Sequence, residues 1–123
     1  MLIGTIEKSR YPRLIIAIVV QGKPINLKFL VDSGFDDEVA LSYDQAELFG
    51  LEIQDYVKVT YASGEWEDEL IAQGKVVWFG EECDVRVILS NDEQPAIGTG
   101  LLKNCVMTMN FRNDTLTIEK PIP

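Results

Sequence analysis

In the stretch Phe29-Leu30-Val31-Asp32-Ser33-Gly34-Phe35, a carboxylate follows an apolar run and stands directly before a hydroxyl residue and a glycine. An acid held at a strand end has a fixed direction, a neighbouring hydroxyl can hydrogen-bond it, and glycine lets a second backbone come close. Asp32, Ser33 and Gly34 therefore form a candidate catalytic loop. The same three residue types also make an ordinary tight turn after a strand, and the tripeptide alone leaves both readings open.

What the chain lacks narrows the chemistry further. It contains no histidine, which excludes Ser-His and Cys-His nucleophilic pairs and any zinc site with an imidazole ligand. Asp36, Asp37 and Glu38 follow the candidate loop closely, but their run lacks the alternating ligand spacing of a calcium loop. It reads as a solvated acidic turn, and neither a metal ion nor another cofactor is expected. Glu65, Glu67, Asp68 and Glu69 likewise read as a solvated strand face. Cys83 and Cys105 are far apart and follow no C-x-x-C pattern. Buried free thiols are the plain reading, with a single disulfide left open.

The elements that must position Asp32 are mostly strands. Apolar or alternating runs at Leu2 to Glu7, Leu14 to Val20, Ile25 to Val31, Val57 to Tyr61, Leu70 to Phe79, Val85 to Leu89, Val106 to Phe111 and Thr115 to Glu119 are separated by Gly, Pro, Asn and Asp. That spacing predicts an all-β barrel or sandwich. Ser42 followed by Gln45 is a capping-box pattern, with Gly50 as the stop of a short helix, and Gly100 to Asn104 offers one further helical turn. Tyr61-Ala62-Ser63-Gly64-Glu65-Trp66 joins two strand-like arms through a Ser-Gly turn and predicts a hairpin. The Lys120 to Pro123 tail is expected to fray.

Composition bounds the whole. At 123 residues and 46% hydrophobic, the chain suits one compact domain spanning 1–123. Twenty acidic against 11 basic residues give a net charge of −9, with no Lys/Arg-rich block, so nucleic acid is not expected as a partner. An acidic surface also repels anionic membranes and identical subunits. Leu14 to Val20 is too short to span a bilayer, lacks a small-residue cleavage site and runs into the turn Gln21-Gly22-Lys23-Pro24. It reads as a buried strand, and a cytoplasmic protein is expected.

Downstream, Pro95-Ala96-Ile97-Gly98-Thr99-Gly100-Leu101-Leu102 supplies a second apolar-apolar-glycine element, followed by two strand-like runs. With Asp32-Ser33-Gly34 and the mid-chain hairpin, this order resembles the single-domain, retropepsin-like (clan AA) aspartic proteases of the small bacterial and archaeal type. Phe35 stands where pepsins and retroviral enzymes have a small residue, although the bacterial branch commonly has Phe there. Ser33 replaces the commoner Thr, and Ala96 a larger apolar residue.

The resemblance implies an all-β, closed acid-protease barrel with one or two short helices, one lobe per chain. It also implies that Asp32, Ser33 and Gly34 are catalytic, with Phe35, Ile97 and Gly98 supporting their loop. The hairpin is then a flap whose Tyr61, Ala62, Ser63, Gly64 and Trp66 line a substrate cleft; an ordinary exposed hairpin is the other reading. Because the chain carries one Asp-Ser-Gly, the second carboxylate must come from a second copy, giving a homodimer that acts on peptide or protein substrates. Two other outcomes stay open: a non-catalytic peptide-binding or assembly module on the same barrel, and a monomer in which Asp32 only caps a turn.

Overall fold

The computed structural model describes residues 1–60 and 62–121, leaving aside the side chains of Val57, Val59 and Glu67. Ten strands and two short helices follow in the order β1 (Leu2–Glu7), β2 (Tyr11–Val20), β3 (Lys23–Val31), β4 (Val39–Ser42), α1 (Tyr43–Leu48), β5 (Glu52–Thr60), β6 (Trp66–Trp78), β7 (Glu81–Ser90), β8 (Ala96–Ile97), α2 (Thr99–Leu102), β9 (Val106–Asn110) and β10 (Thr115–Glu119). All the strands belong to one sheet, in the order β5-β6-β7-β4-β8-β3-β2-β1-β10-β9. The sheet curls enough for Ile18 on β2 to pair with Val76 on β6.

Turn chemistry sets the hairpins. Gln21-Gly22 joins β2 to β3 and Phe79-Gly80 joins β6 to β7, both residues of each pair having positive φ. Two-residue connections of that hand match the twist of the strands they join. Alternation then sorts the faces. Leu14, Ile16 and Ile18 on β2, Phe29 and Val31 on β3, Val76 and Trp78 on β6, and Val85, Val87 and Leu89 on β7 enter one buried cluster with Ile97, Leu116 and Ile118. Each such side chain taken out of water stabilises the fold by roughly 1.5–3 kcal/mol.

Two strands lie outside the runs read from the sequence. β4 has four residues and pairs in parallel with β7 (Val39↔Val87 to Ser42↔Ser90). β8 has two, parallel to β3 (Leu30↔Ala96, Val31↔Ile97) and antiparallel to β4. Neither is long enough to show a period of its own; their partners, distant in sequence, make them strands. Three further readings are corrected by contacts. The strand expected over Val57 to Tyr61 already starts at Glu52, and Tyr61 lies outside the described residues, as do Ile122 and Pro123 of the tail. The second helix starts at Thr99, because the Gly98 carbonyl accepts from the N–H groups of both Leu101 and Leu102. Cys83 and Cys105 are free thiols but only half-buried.

Candidate active site

Asp32 is the residue immediately after β3. Its N–H donates to the Ile97 carbonyl (2.9 Å), and its own carbonyl accepts from the Phe35 N–H (3.1 Å), so the loop is held at both ends. The Gly34 N–H donates to Asp32 Oδ1 at 2.9 Å and orients the carboxylate. A plain turn would make that last bond too. What distinguishes this loop is the second segment packed beneath it.

That segment is β8 with the first turn of α2. Ile97 is fully buried between β3 and β4. Gly98 donates its N–H to the Glu38 carbonyl (3.0 Å), Thr99 donates to the Phe35 carbonyl (2.8 Å), and Gly100 donates to the Asp37 carbonyl (3.1 Å). A Cβ on Gly98 would run into the carbonyl oxygens of Asp37 and Phe35 and the Phe35 ring. Glycine is required here for space; the backbone is extended (φ −106°) and any residue could adopt it.

The acidic turn read as solvated is in fact tied down on one side. Asp36 is exposed, but Asp37 and Glu38 are half-buried. Asp37 Oδ2 pairs with Arg86 Nε on β7 at 3.1 Å, and Glu38 Oε1 accepts from the Arg86 backbone N–H at 2.8 Å. Sequence spacing gave no hint of Arg86 as partner, because it sits 48 positions from Glu38. The signal available was chemical: three consecutive acids in a chain poor in bases invite a cation from somewhere.

Asp32 looks into a cleft of about 620 Å³. Phe35, Asp36 and Asp37 flank the acid, Ala40, Arg86, Ile88 and Ser90 form one wall, Asp92, Gln94 and Ala96 follow, and Lys58, Thr60 and Glu69 come from the β5–β6 hairpin. The hairpin itself is as expected: Thr60 pairs with Trp66, and Gly64 takes φ +87° at the turn. Its tip, however, is not on the cleft wall. Ala62, Ser63, Gly64 and Trp66 are exposed, with the Trp66 ring covered on one face by Lys58 Nζ at 4.2 Å from its centre. Of the hairpin residues on the wall, Lys58 and Thr60 escaped the sequence reading because they belong to the arms rather than the turn, while Glu69, read as part of a solvated strand face, is half-buried there. Among the described residues, no three acids or thiols gather so as to hold a metal ion, and no helix is long and apolar enough to cross a membrane.

No protein-family model matches this chain, and no curated protein matches it by sequence. Solved structures do match. A retropepsin-like aspartic protease from Rickettsia conorii superposes with a TM-score of 0.70 at 18% identity, over 95% of this chain and 88% of that one. The chain has the retropepsin-like fold. EIAV protease complexed with the inhibitor HBY-793 aligns at a TM-score of 0.58 and 15% identity, over 79% of this chain and 89% of the protease. The retroviral protease-like domain of Ddi1 from Leishmania major aligns at 0.50 and 20%, over 89% and 90%. In this retropepsin-like fold, the three segments singled out from the sequence lie together as the Asp32 loop, the segment beneath it and a hairpin reaching the same cleft.

Proposed function

We propose that this chain is an aspartic endopeptidase whose active unit is a homodimer, with one Asp32 from each copy at the site. The observation that carries this reading is Asp32 itself: a carboxylate on a cleft wall, oriented by Gly34 N–H and braced from below by Ile97 and Gly98. The retropepsin-like fold supports it, because aspartic proteases with known structures share that architecture.

Peptide hydrolysis without a metal or a covalent nucleophile needs one carboxylate as base and a second, protonated, as acid. One Asp32 takes a proton from water while the water oxygen attacks the peptide carbon. Its mate gives a proton to the carbonyl oxygen. Collapse of the resulting diol breaks the C–N bond as a proton passes to the leaving nitrogen. Two adjacent carboxylates do not readily both ionise, so the mechanism uses one of them ionised and its mate protonated. Cleavage is therefore best below neutral pH.

Ser33 steadies the paired loops through its hydroxyl, and Phe35, Ile97 and Gly98 hold each loop in place. The β5–β6 hairpin serves as the flap, bringing Ala62, Ser63, Gly64 and Trp66 over an extended peptide as it closes. Residues 1–123 act as one retropepsin-like domain with a closed barrel. Acids outnumber bases in the cleft, and Arg86 is already paired with Asp37; acidic peptides are disfavoured.

The test is a peptide-library digest with wild type and Asp32→Asn, each scanned from acid to neutral pH. Wild type cleaves, and the variant, folded and equally dimeric, loses at least about a thousandfold in rate. Cleavage that persists in Asp32→Asn, or tight peptide binding by wild type without cleavage at any pH, overturns the reading.

A further inference from the structure

The basic side chains of this acidic chain are unevenly placed. Residues 8–31 contain no Asp or Glu and carry Lys8, Arg10, Arg13, Lys23 and Lys28, out of 11 bases in the whole chain. They form no run in the sequence, and Lys23 lies at the far end of the β2–β3 pair. Folding brings a further base to the first of them. Lys8 and Ser9 both have positive φ, and the Arg10 N–H donates to the Glu7 carbonyl at 3.0 Å, so the chain reverses tightly between β1 and β2. Beside this turn runs the one between β9 and β10. The Ile6 N–H donates to the Asp114 carbonyl (2.9 Å), and Ser9 Oγ donates to Asp114 Oδ2 (3.1 Å). Arg112 is thereby brought to the same end of the sheet as Lys8 and Arg10.

The acids near these turns are already engaged. Glu7 accepts from Lys28 and Arg13, and Asp114 turns inward onto Ser9, its Oδ1 closed off from solvent. Lys8, Arg10 and Arg112 are exposed, and among the described residues no acid forms an ion pair with any of them. Tyr11 and Phe111, also exposed, adjoin the two turns. Rings beside uncompensated cations offer apolar contact and charge together. A net charge of −9 repels an anion from the molecule as a whole, so an acidic ligand that does bind is steered to this end. A nucleic-acid backbone, with its dense and regular charge, would meet these few cations and repulsion beyond them. A peptide can set its acids at the turns and its other residues against the rings.

We propose that the paired turns bearing Lys8, Arg10 and Arg112 dock an acidic, unfolded segment of a protein substrate outside the cleft. Arg13 on β2 pairs with Leu30 on β3, and Asp32 follows two residues later, so the β1–β2 turn and the Asp32 loop leave the sheet at the same end. The segment that is cut and the segment that is held then differ in charge: the cleft disfavours acids, and the turns take acids from further along the same substrate. This inference rests on the endopeptidase reading for calling the partner a substrate, but not for the contact itself. Attachment at a second point raises the effective concentration of the cut segment at the cleft. It lowers KM and leaves kcat unchanged, because the held segment is bound equally before and during the reaction.

Fluorescence anisotropy at low ionic strength, on Asp32→Asn to prevent cutting, measures binding of a labelled Glu-rich peptide, its Gln-for-Glu twin and an oligothymidylate of matched charge. Two triple variants of equal net charge separate place from total charge: Lys8→Gln with Arg10→Gln and Arg112→Gln, and, as control, Lys23→Gln with Lys75→Gln and Lys103→Gln. Thermal midpoints confirm that both are folded. The Glu-rich peptide binds about tenfold more tightly than its twin, added salt removes the difference, the first triple loses it and the control keeps most of it. Joined to a cleaved peptide, the Glu-rich segment lowers KM by about tenfold in the active protein and not in the first triple. Equal binding of the two peptides, equal losses in the two triples, or an oligothymidylate held as tightly as the Glu-rich peptide overturns the proposal. Docking of the Glu-rich peptide by a protein that cleaves nothing would remove the endopeptidase reading and leave the docking surface standing; cleavage with a KM indifferent to the Glu-rich segment at either end would do the reverse.

Discussion

Gly98 is the residue on which the geometry of the Asp32 loop depends most, because the backbone of Phe35 and Asp37 passes where its Cβ would be. Backbone atoms in a hydrogen-bonded loop cannot turn aside as a side-chain tip can. Gly98→Ala is expected to cost about 3 kcal/mol, the upper range of overpacking, and to displace Asp32. Gly50, with φ +67° and open space around it, provides the comparison: Gly50→Ala meets backbone strain alone, roughly 1–2 kcal/mol. Urea unfolding at constant slope measures both, and equal losses would show that crowding under the loop is not what selects glycine at 98. Asp32 and Gly98 were both legible in the sequence, since an apolar run leads into each. Arg86, Ala40 and Ile88 were not. They reach the cleft only because β4 and β7 lie side by side in the sheet, a pairing no local pattern announces.

Legibility at the scale of elements follows the range of the interactions that make each one. The capping box of α1 was readable because Ser42 and Gln45 satisfy each other's backbone N–H groups within three residues, both at 3.0 Å. β1 and β10 were readable end to end from alternation. β4 and β8 exist by virtue of remote partners and left no signal. One tie among β1, β2 and β3 is electrostatic and has a pH signature. Glu7 at the end of β1 accepts from Lys28 Nζ on β3 (2.6 Å) and Arg13 Nε on β2 (3.3 Å). The Lys28 hydrogen bond foremost, outweighing partial desolvation, holds the Glu7 carboxyl below its ordinary value of 4.5. A carboxyl whose folded-state value is depressed contributes stability that is complete above the unfolded value and is lost as pH falls through the folded one. The thermal midpoint of wild type should therefore exceed that of Glu7→Gln by a small margin at pH 6, and the gap should close as pH drops below 4.5. A gap that is constant with pH would mean that the pairing does not contribute to folding.

For the whole molecule, charge and assembly act against each other. A chain of net charge −9 resists self-association at neutral pH, and both added salt and protonation of carboxylates relieve that resistance. The conditions that favour a shared proton between two Asp32 side chains thus also favour the pairing that brings them together. Activity that belongs to a pair can be separated from activity that belongs to a chain by mixing subunits. When wild type and Asp32→Asn are combined in equal amounts and allowed to exchange, about half of all dimers are mixed and about a quarter are wholly wild type, by random pairing of symmetric subunits. If each site needs an aspartate from both copies, the mixed dimers are silent, and activity falls to about half of that given by the same quantity of wild type paired with itself. Should each chain act alone, the inactive variant would be a bystander and activity would not change. The comparison is made at a concentration well above the dimer dissociation constant, with peptide cleavage followed over time after mixing. The decline then tracks subunit exchange, and a rate that never departs from the unmixed control excludes a site shared across the two-fold axis.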